Sequence, residues 1–230
     1  MNAKQHDTKA LQDLDKQHYM HPFTDSKAMH KKGTRIITGA DGCYIYDSEG
    51  GKVLDGMAGL WCVAIGYGRH ELADVAAQQM RELPYYNSFF GTAHPPVIKL
   101  AAQLKKLAPA HISHVFFTGS GSESNDTNVR LVRHYWQAKG QPKKRTIISR
   151  YNAYHGSTMA AMSLGGMKGM HDQGGIIDGI EHIMQPHWYH ETLVGESEED
   201  FGLRAAQALE TKILEVGADH VGAFIGEPVQ

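Results

Sequence analysis

The chain has 230 residues, 41% of them apolar, enough to bury a substantial core as one large domain or as a domain with an appendage. Lys and Arg total 23 against 25 Asp and Glu, and no basic stripe marks a nucleic-acid surface. No apolar run approaches the roughly 20 residues that span a membrane, and Met1 to Lys16 is too polar for a secretory signal.

Lys9 to Gln17 reads as a short polar helix. Arg35 to Thr38, Cys43 to Tyr46 and Lys52 to Leu54 read as short strands of a β-meander. The turns between them are Gly39-Ala40-Asp41-Gly42 and Asp47-Ser48-Glu49-Gly50-Gly51. From about Leu60 the pattern changes to longer helices alternating with short apolar strands. His70–Leu83 and Pro95–Leu107 are predicted helices, the second opening on prolines where a helix tolerates them. Strands are predicted at Val115–Phe117, Thr146–Ser149, Ile180–Met184 and Val221–Ile225, with a helix over Glu198–Val216 between the last two. This alternation implies βαβ units and a mostly parallel sheet, whose ligands sit at the carboxyl ends of the strands.

The most informative stretch is Phe116-Phe117-Thr118-Gly119-Ser120-Gly121-Ser122-Glu123. An apolar run ends in a small-residue turn, and a helical pattern opens behind it with Val129, Val132, Tyr135 and Trp136 on one face. The first N–H groups of a helix lack internal partners and the helix dipole adds positive charge, so such a corner holds phosphate. Ser120 and Ser122 can donate hydroxyl hydrogens, and Gly121 allows close approach. A capped helix with a flexible lead-in remains the plain alternative. The glycine spacing is neither a Walker loop nor a dinucleotide fingerprint. The i,i+3 pairs His111/His114 and His187/His190 have no carboxylate or cysteine completing a metal set. They read as surface or capping histidines, and no metal is assigned. Cys43 and Cys62 are isolated, as expected in a reducing cytoplasm.

Seven segments, in order, carry a resemblance. They are His21-Pro22-Phe23-Thr24-Asp25, Asp55 to Cys62, Gly66-Tyr67-Gly68-Arg69, Gly119 to Ser124, Tyr154 to Thr158, Ser163 to Lys168, and Gly226-Glu227-Pro228-Val229-Gln230. With these the chain resembles the class III pyridoxal-phosphate (PLP) aminotransferases of fold type I, particularly the amine:pyruvate or ω-aminotransferases, putrescine–pyruvate enzymes included. The resemblance implies an α/β fold with a mostly parallel, helix-flanked sheet. Residues 1–60 (short helix and β-meander) would belong to the small domain, and 61–230 would form the first part of the large PLP-binding domain. It implies that Ser120, Gly121 and Ser122 hold the cofactor phosphate, that Tyr154 stacks on its ring, and that Glu227 lies near the ring-binding network. His155 is open between positioning the ring and packing as a hydrogen-bonded histidine. Leu60, Trp61 and Phe89 would line the substrate pocket, whereas Phe90 reads better as a core aromatic. The implied partners are an amine donor, a keto-acid acceptor and a second copy in a homodimer.

The family's Schiff-base lysine and pyridine-nitrogen aspartate have no counterpart up to Gln230, and Lys168 matches a family segment that is not the Schiff-base site. The catalytic residues are therefore expected beyond Gln230. The chain reads as the N-terminal half, with little transaminase activity alone. An aminomutase or decarboxylase on the same scaffold, or a non-catalytic phosphate-ligand-binding partner of a second chain, are the alternative readings.

Overall fold

A computed structural model describes residues 6–229; Met1 to Gln5 and Gln230, the last residue of the Gly226 segment, lie outside the described residues. The chain divides into two compact units, one up to Lys99 and one from Leu100 onward.

In the first unit, helix α1 (Thr8–His18) is capped by Asp7, whose side chain accepts from the Ala10 N–H. Helix α2 (Ser26–Lys32) is capped in the same way by Asp25. Strands β1 (Ile37–Asp41), β2 (Tyr44–Asp47) and β3 (Lys52–Leu54) form an antiparallel meander in that order. Its second turn closes because Asp47 Oδ1 accepts from the N–H groups of Glu49 and Gly51. A single irregular turn, α3 (Ala58–Trp61), helix α4 (His70–Glu82) and helix α5 (Pro95–Leu107) follow, and the unit boundary falls inside α5.

The second unit carries α6 (Gly121–Ala138), β4 (Thr146–Arg150), α7 (Met159–Leu164), α8 (Lys168–Gly174), β5 (Ile180–Ile183), α9 (Trp188–Glu191), α10 (Glu198–Val216) and β6 (Val221–Phe224). The three strands form a parallel sheet in the order β5-β4-β6. The central strand is β4, covered on both faces, which is why it reads as consecutive buried residues rather than an alternation; Ile148 is 0% exposed. Val129 of α6, Ile147, Leu164 and Ile180 make the core cluster, with Val132 packed against it. Tyr135 departs from the expected apolar stripe: it is about half exposed and meets Trp136 edge-to-face. Helix α10 anchors through buried Phe201 and through Arg204, which donates from Nε and Nη2 to the two carboxylate oxygens of Glu196.

One predicted strand is absent. Val115–Phe117 forms no ladder with any described strand, and Phe116 is largely exposed. A strand exists only where a neighbour accepts and donates its backbone hydrogen bonds. The apolar composition of this segment was legible, but its pairing is not met by β4, β5 or β6. Among the described residues no helix is long and apolar enough to cross a membrane.

Candidate functional site

The turn before α6 is built by its own small polar residues. Ser120 is the N-cap, and its Oγ accepts from the Glu123 N–H at 3.1 Å. Glu123 answers with Oε2, which accepts from the Gly119 N–H at 2.7 Å. Thr118 Oγ1 donates to the Ser120 carbonyl at 2.9 Å and lies 2.6 Å from Ser124 Oγ. The opening N–H groups of α6, on Gly121 and Ser122, have no intrahelical acceptor. A Cβ built on Gly121 would meet nothing within 4 Å, so the space beside this residue is open.

The hydroxyl chemistry follows from these bonds. Ser122 Oγ accepts from the Ser157 N–H at 2.9 Å, as Ser120 Oγ accepts from Glu123. Each oxygen already serves as an acceptor, which leaves each hydroxyl hydrogen available for a further acceptor. Two serine hydroxyls and two amide donors at a helix N-terminus are a donor set of the kind that suits an anionic group.

The loop after β4 docks onto the first two turns of α6. Asn125 Nδ2 donates to the His155 carbonyl at 2.7 Å, while Asp126 Oδ1 accepts from Thr158 Oγ1 at 2.8 Å and from the Ala161 N–H at 3.1 Å. Asp126 thereby supplies the cap of α7 from another element. Gly156 sits at the closest approach, with φ +130; a Cβ there would lie 2.5 Å from Ser122 Oγ and 2.7 Å from the Ala161 Cβ.

From the third direction, Glu227 follows β6. Arg150, the last residue of β4, donates from Nη1 to the Glu227 carbonyl at 2.8 Å. Glu227 Oε1 stands 3.4 Å from His155 Nε2, the two side chains being 22% and 8% exposed. The His155 Nε2 and Glu227 Oε2 atoms are buried without a hydrogen-bond partner. Burial pushes the His155 imidazole below its ordinary pKa; Glu227 works against this and the nearby Arg150 guanidinium adds to it.

The architecture agrees with comparisons to known proteins. The family model described as aminotransferase class-III matches residues 26–230. The chain belongs to the class-III aminotransferases.

It is 59% identical to the putrescine–pyruvate aminotransferase of Pseudomonas aeruginosa, over 100% of this chain and 50% of that protein. It is 42% identical to the diaminobutyrate–2-oxoglutarate transaminase of Halomonas elongata, over 85% of this chain and 42% of that protein. Among solved structures, an (S)-enantioselective ω-transaminase from Thermomicrobium roseum superposes with a TM-score of 0.94 at 39% identity, covering 99% of this chain and 51% of that one. The ω-transaminase from Pseudomonas jessenii, solved in complex with PMP, gives 0.92 at 43% identity, over 95% and 48%. The chain thus spans about half the length of the relatives it matches.

Of the residues expected from this class-III sequence, Ser120, Gly121, Ser122, Tyr154, His155 and Glu227 gather in the second unit, at the carboxyl ends of β4 and β6 and the start of α6. Tyr154 is about half exposed beside this corner. Leu60, Trp61 and Phe89 belong to the first unit and are exposed there, Trp61 at 89%. Asp55 organises the segment before them. It accepts from Tyr67 Oη and from the Gly59 N–H, each at 2.7 Å, and these bonds hold its carboxyl below the usual range. Behind it, Ala58, Leu60 and Trp61 all adopt left-handed φ (47, 59 and 69), a costly conformation for side chains of this size. Phe90, expected in the core, is instead 97% exposed at φ 59. Asn87 Oδ1 accepts from the Phe89 N–H, so Phe90 follows a local turn and stands on the surface rather than in an element that packs inward. His187 caps α9, its Nδ1 accepting from the His190 N–H at 3.3 Å.

Sequence reasoning gave no role to Asn125, Asp126 or Ser157. A signal existed: Ser122, Asn125 and Asp126 fall at i, i+3 and i+4, one polar face of a helix that opens at Gly121.

Proposed function

We propose that this chain is the phosphate- and ring-holding part of a PLP-dependent aminotransferase that moves an amino group from an amine or diamine of the putrescine type to pyruvate, giving alanine. The observation that carries the reading is the α6 N-terminus, with open space beside Gly121 and two serine hydroxyls whose oxygens accept backbone bonds and whose hydrogens are left for another acceptor. The residues fit the cofactor on the structure's own terms. The cradle suits a dianion, Tyr154 offers an aromatic face, and two buried polar atoms, His155 Nε2 and Glu227 Oε2, lie beside it without partners. A putrescine-type donor and pyruvate as acceptor are supported by the 59% identity to a putrescine–pyruvate enzyme.

When bound, the group would supply an aldehyde carbon and a ring able to delocalise an electron pair. The contribution of this chain is binding and orientation. Ser120 and Ser122 donate to the phosphate, and the Gly121 and Ser122 amides add the helix-terminal field. Tyr154 fixes the ring plane, and Leu60, Trp61 and Phe89 provide an apolar wall for the donor. The division into 1–60 as small-domain segment and 61–230 as cofactor domain, a homodimer, and a cytoplasmic location consistent with the free thiols of Cys43 and Cys62 belong to the same proposal.

Spectral titration of the purified chain with PLP tests the reading. Saturable binding, competed by inorganic phosphate and weakened at least tenfold by Ser122→Ala, is expected. A flat titration, or binding indifferent to phosphate, would refute it.

A further inference from the structure

We propose that His155 is a positioning residue, held at its main chain by α6 and at its imidazole by the carboxylate that follows β6, so that it sets the orientation of the adjacent Tyr154 ring. The inference rests on reading Tyr154 as the stacking face for PLP.

His155 is gripped at two points from two elements. Asn125 of α6 holds its carbonyl at 2.7 Å, and Glu227 stands 3.4 Å from its Nε2. Both anchors are themselves fixed. Asn125 is in the second turn of α6, while the Glu227 main chain is held by Arg150, whose guanidinium also lies 5.5 Å over the Phe224 ring. Glu227 is therefore tied to the central strand independently of His155. The next residue, Gly156, is pinned against Ser122 and Ala161 at a φ that side chains avoid. Tyr154 thus precedes a segment with almost no freedom, and a rigid two-torsion side chain on a fixed backbone has few orientations left.

The imidazole–carboxylate contact is close enough to pair but makes no hydrogen bond, so His155 Nε2 itself and the second carboxylate oxygen, Glu227 Oε2, are buried without a hydrogen-bond partner. Buried polar atoms in native proteins are satisfied in the great majority of cases. A small rotation of His155 as the Nε2–H tautomer completes the bond to Glu227. Burial disfavours the charged imidazole, and the Arg150 guanidinium adds to that effect while Glu227 opposes it. A histidine that merely filled space would need neither this donor nor this acceptor.

The test compares His155→Leu, which keeps bulk and removes the donor, with His155→Gln, which keeps a donor, and with Glu227→Gln. In the ligand-free chain, 15N-resolved imidazole spectra are expected to give the Nε2–H tautomer for His155 and to shift when Glu227 becomes Gln. With PLP bound, affinity in His155→Leu should stay within about threefold because the phosphate cradle is untouched. The induced circular dichroism of the cofactor band, which reports a fixed ring in an asymmetric site, should fall by at least half. His155→Gln should keep most of that signal, and adding His155→Leu to Glu227→Gln should lose no more than either change alone. If His155→Leu does not fold, the comparison of His155→Gln with Glu227→Gln decides, since only the second removes the carboxylate. An unchanged signal in Glu227→Gln, or additive losses, would overturn the positioning role. Absence of PLP binding in the unmodified chain would instead strike the cofactor reading itself, while the tautomer measurement would still decide the His155–Glu227 pairing.

Discussion

Two glycines in one corner should respond oppositely to the same methyl group. In Gly156→Ala the new Cβ would lie 2.5 Å from Ser122 Oγ, 2.7 Å from the Ala161 Cβ and 2.9 Å from the Ser122 Cα. Ser122 Oγ could swing aside only by giving up its bond from the Ser157 N–H, and the Ser122 Cα cannot move without shifting the start of α6. Overpacking of this kind costs about 1–3 kcal/mol, and φ +130 adds backbone strain on the order of 1–3 kcal/mol. A loss of about 3 kcal/mol, at a urea slope near 2 kcal/mol per molar, moves the unfolding midpoint down by about 1.5 M. In Gly121→Ala the Cβ enters open space at a helical first position, so stability should hold or rise by about 0.5 kcal/mol. On the proposed phosphate reading the same methyl crowds an anion docked at the helix start and lowers PLP affinity about tenfold or more, worth about 1.4 kcal/mol. Urea denaturation followed by circular dichroism, with PLP titration on each variant, reads both effects. A Gly156→Ala midpoint within 0.3 M or so of the parent would refute the packing argument. Equal PLP affinity in Gly121→Ala would refute the cradle.

Asp126→Ala removes the acceptor of two bonds, from Thr158 Oγ1 and the Ala161 N–H, and uncaps α7. A loss of about 2–3 kcal/mol is expected in urea unfolding, and a change below about 0.5 kcal/mol would show that water replaces the carboxylate. Acid should also weaken the fold in a defined window. His155 and His182 are both pushed below the ordinary value of 6.5, chiefly by burial, so the folded state prefers them neutral while the unfolded chain protonates first. Their contribution is complete above pH 6.5 and declines as pH falls toward the folded values, with a limiting slope of about 1.4 kcal/mol per pH unit for each. Glu196, held down to about 2 mainly by its Arg204 hydrogen bonds, is charged in both states above 4.5 and so adds its own loss only below that pH. Urea midpoints should drop between pH 7.5 and 5.5. A midpoint that holds or rises would count against both buried histidines.

What could be read from the linear chain was whatever short-range physics decides. Helices α5 and α10 begin and end where their residue pattern places them, at Pro95–Leu107 and Glu198–Val216, because periodicity, caps and prolines act within a few residues. Of the meander, the Asp47–Gly51 turn was legible for the same reason. Gly39 to Asp41, read as a turn after a strand Arg35–Thr38, instead continue β1 and pair with Tyr46, Ile45 and Tyr44, so the chain reverses only at Gly42-Cys43. Helix α7 was not legible: only six residues long, it takes its cap from Asp126, 35 residues away from Ala161. The small-residue turn and the helix opening at Gly121 were visible in sequence even though Val115–Phe117 makes no strand, since a helix start depends on its own caps and not on pairing of the segment before it. The seven family segments supplied Tyr154, His155 and Glu227 as names in a row, with no order among their contacts. Tertiary structure alone decided that Ser122 accepts from Ser157, that Gly156 admits no side chain, and that His155 meets Glu227 across 72 positions of sequence. Such contacts depend on how β4, β6 and α6 converge, and convergence is set by burying Val129, Ile147, Leu164 and Ile180 together, an interaction with no direction along the chain.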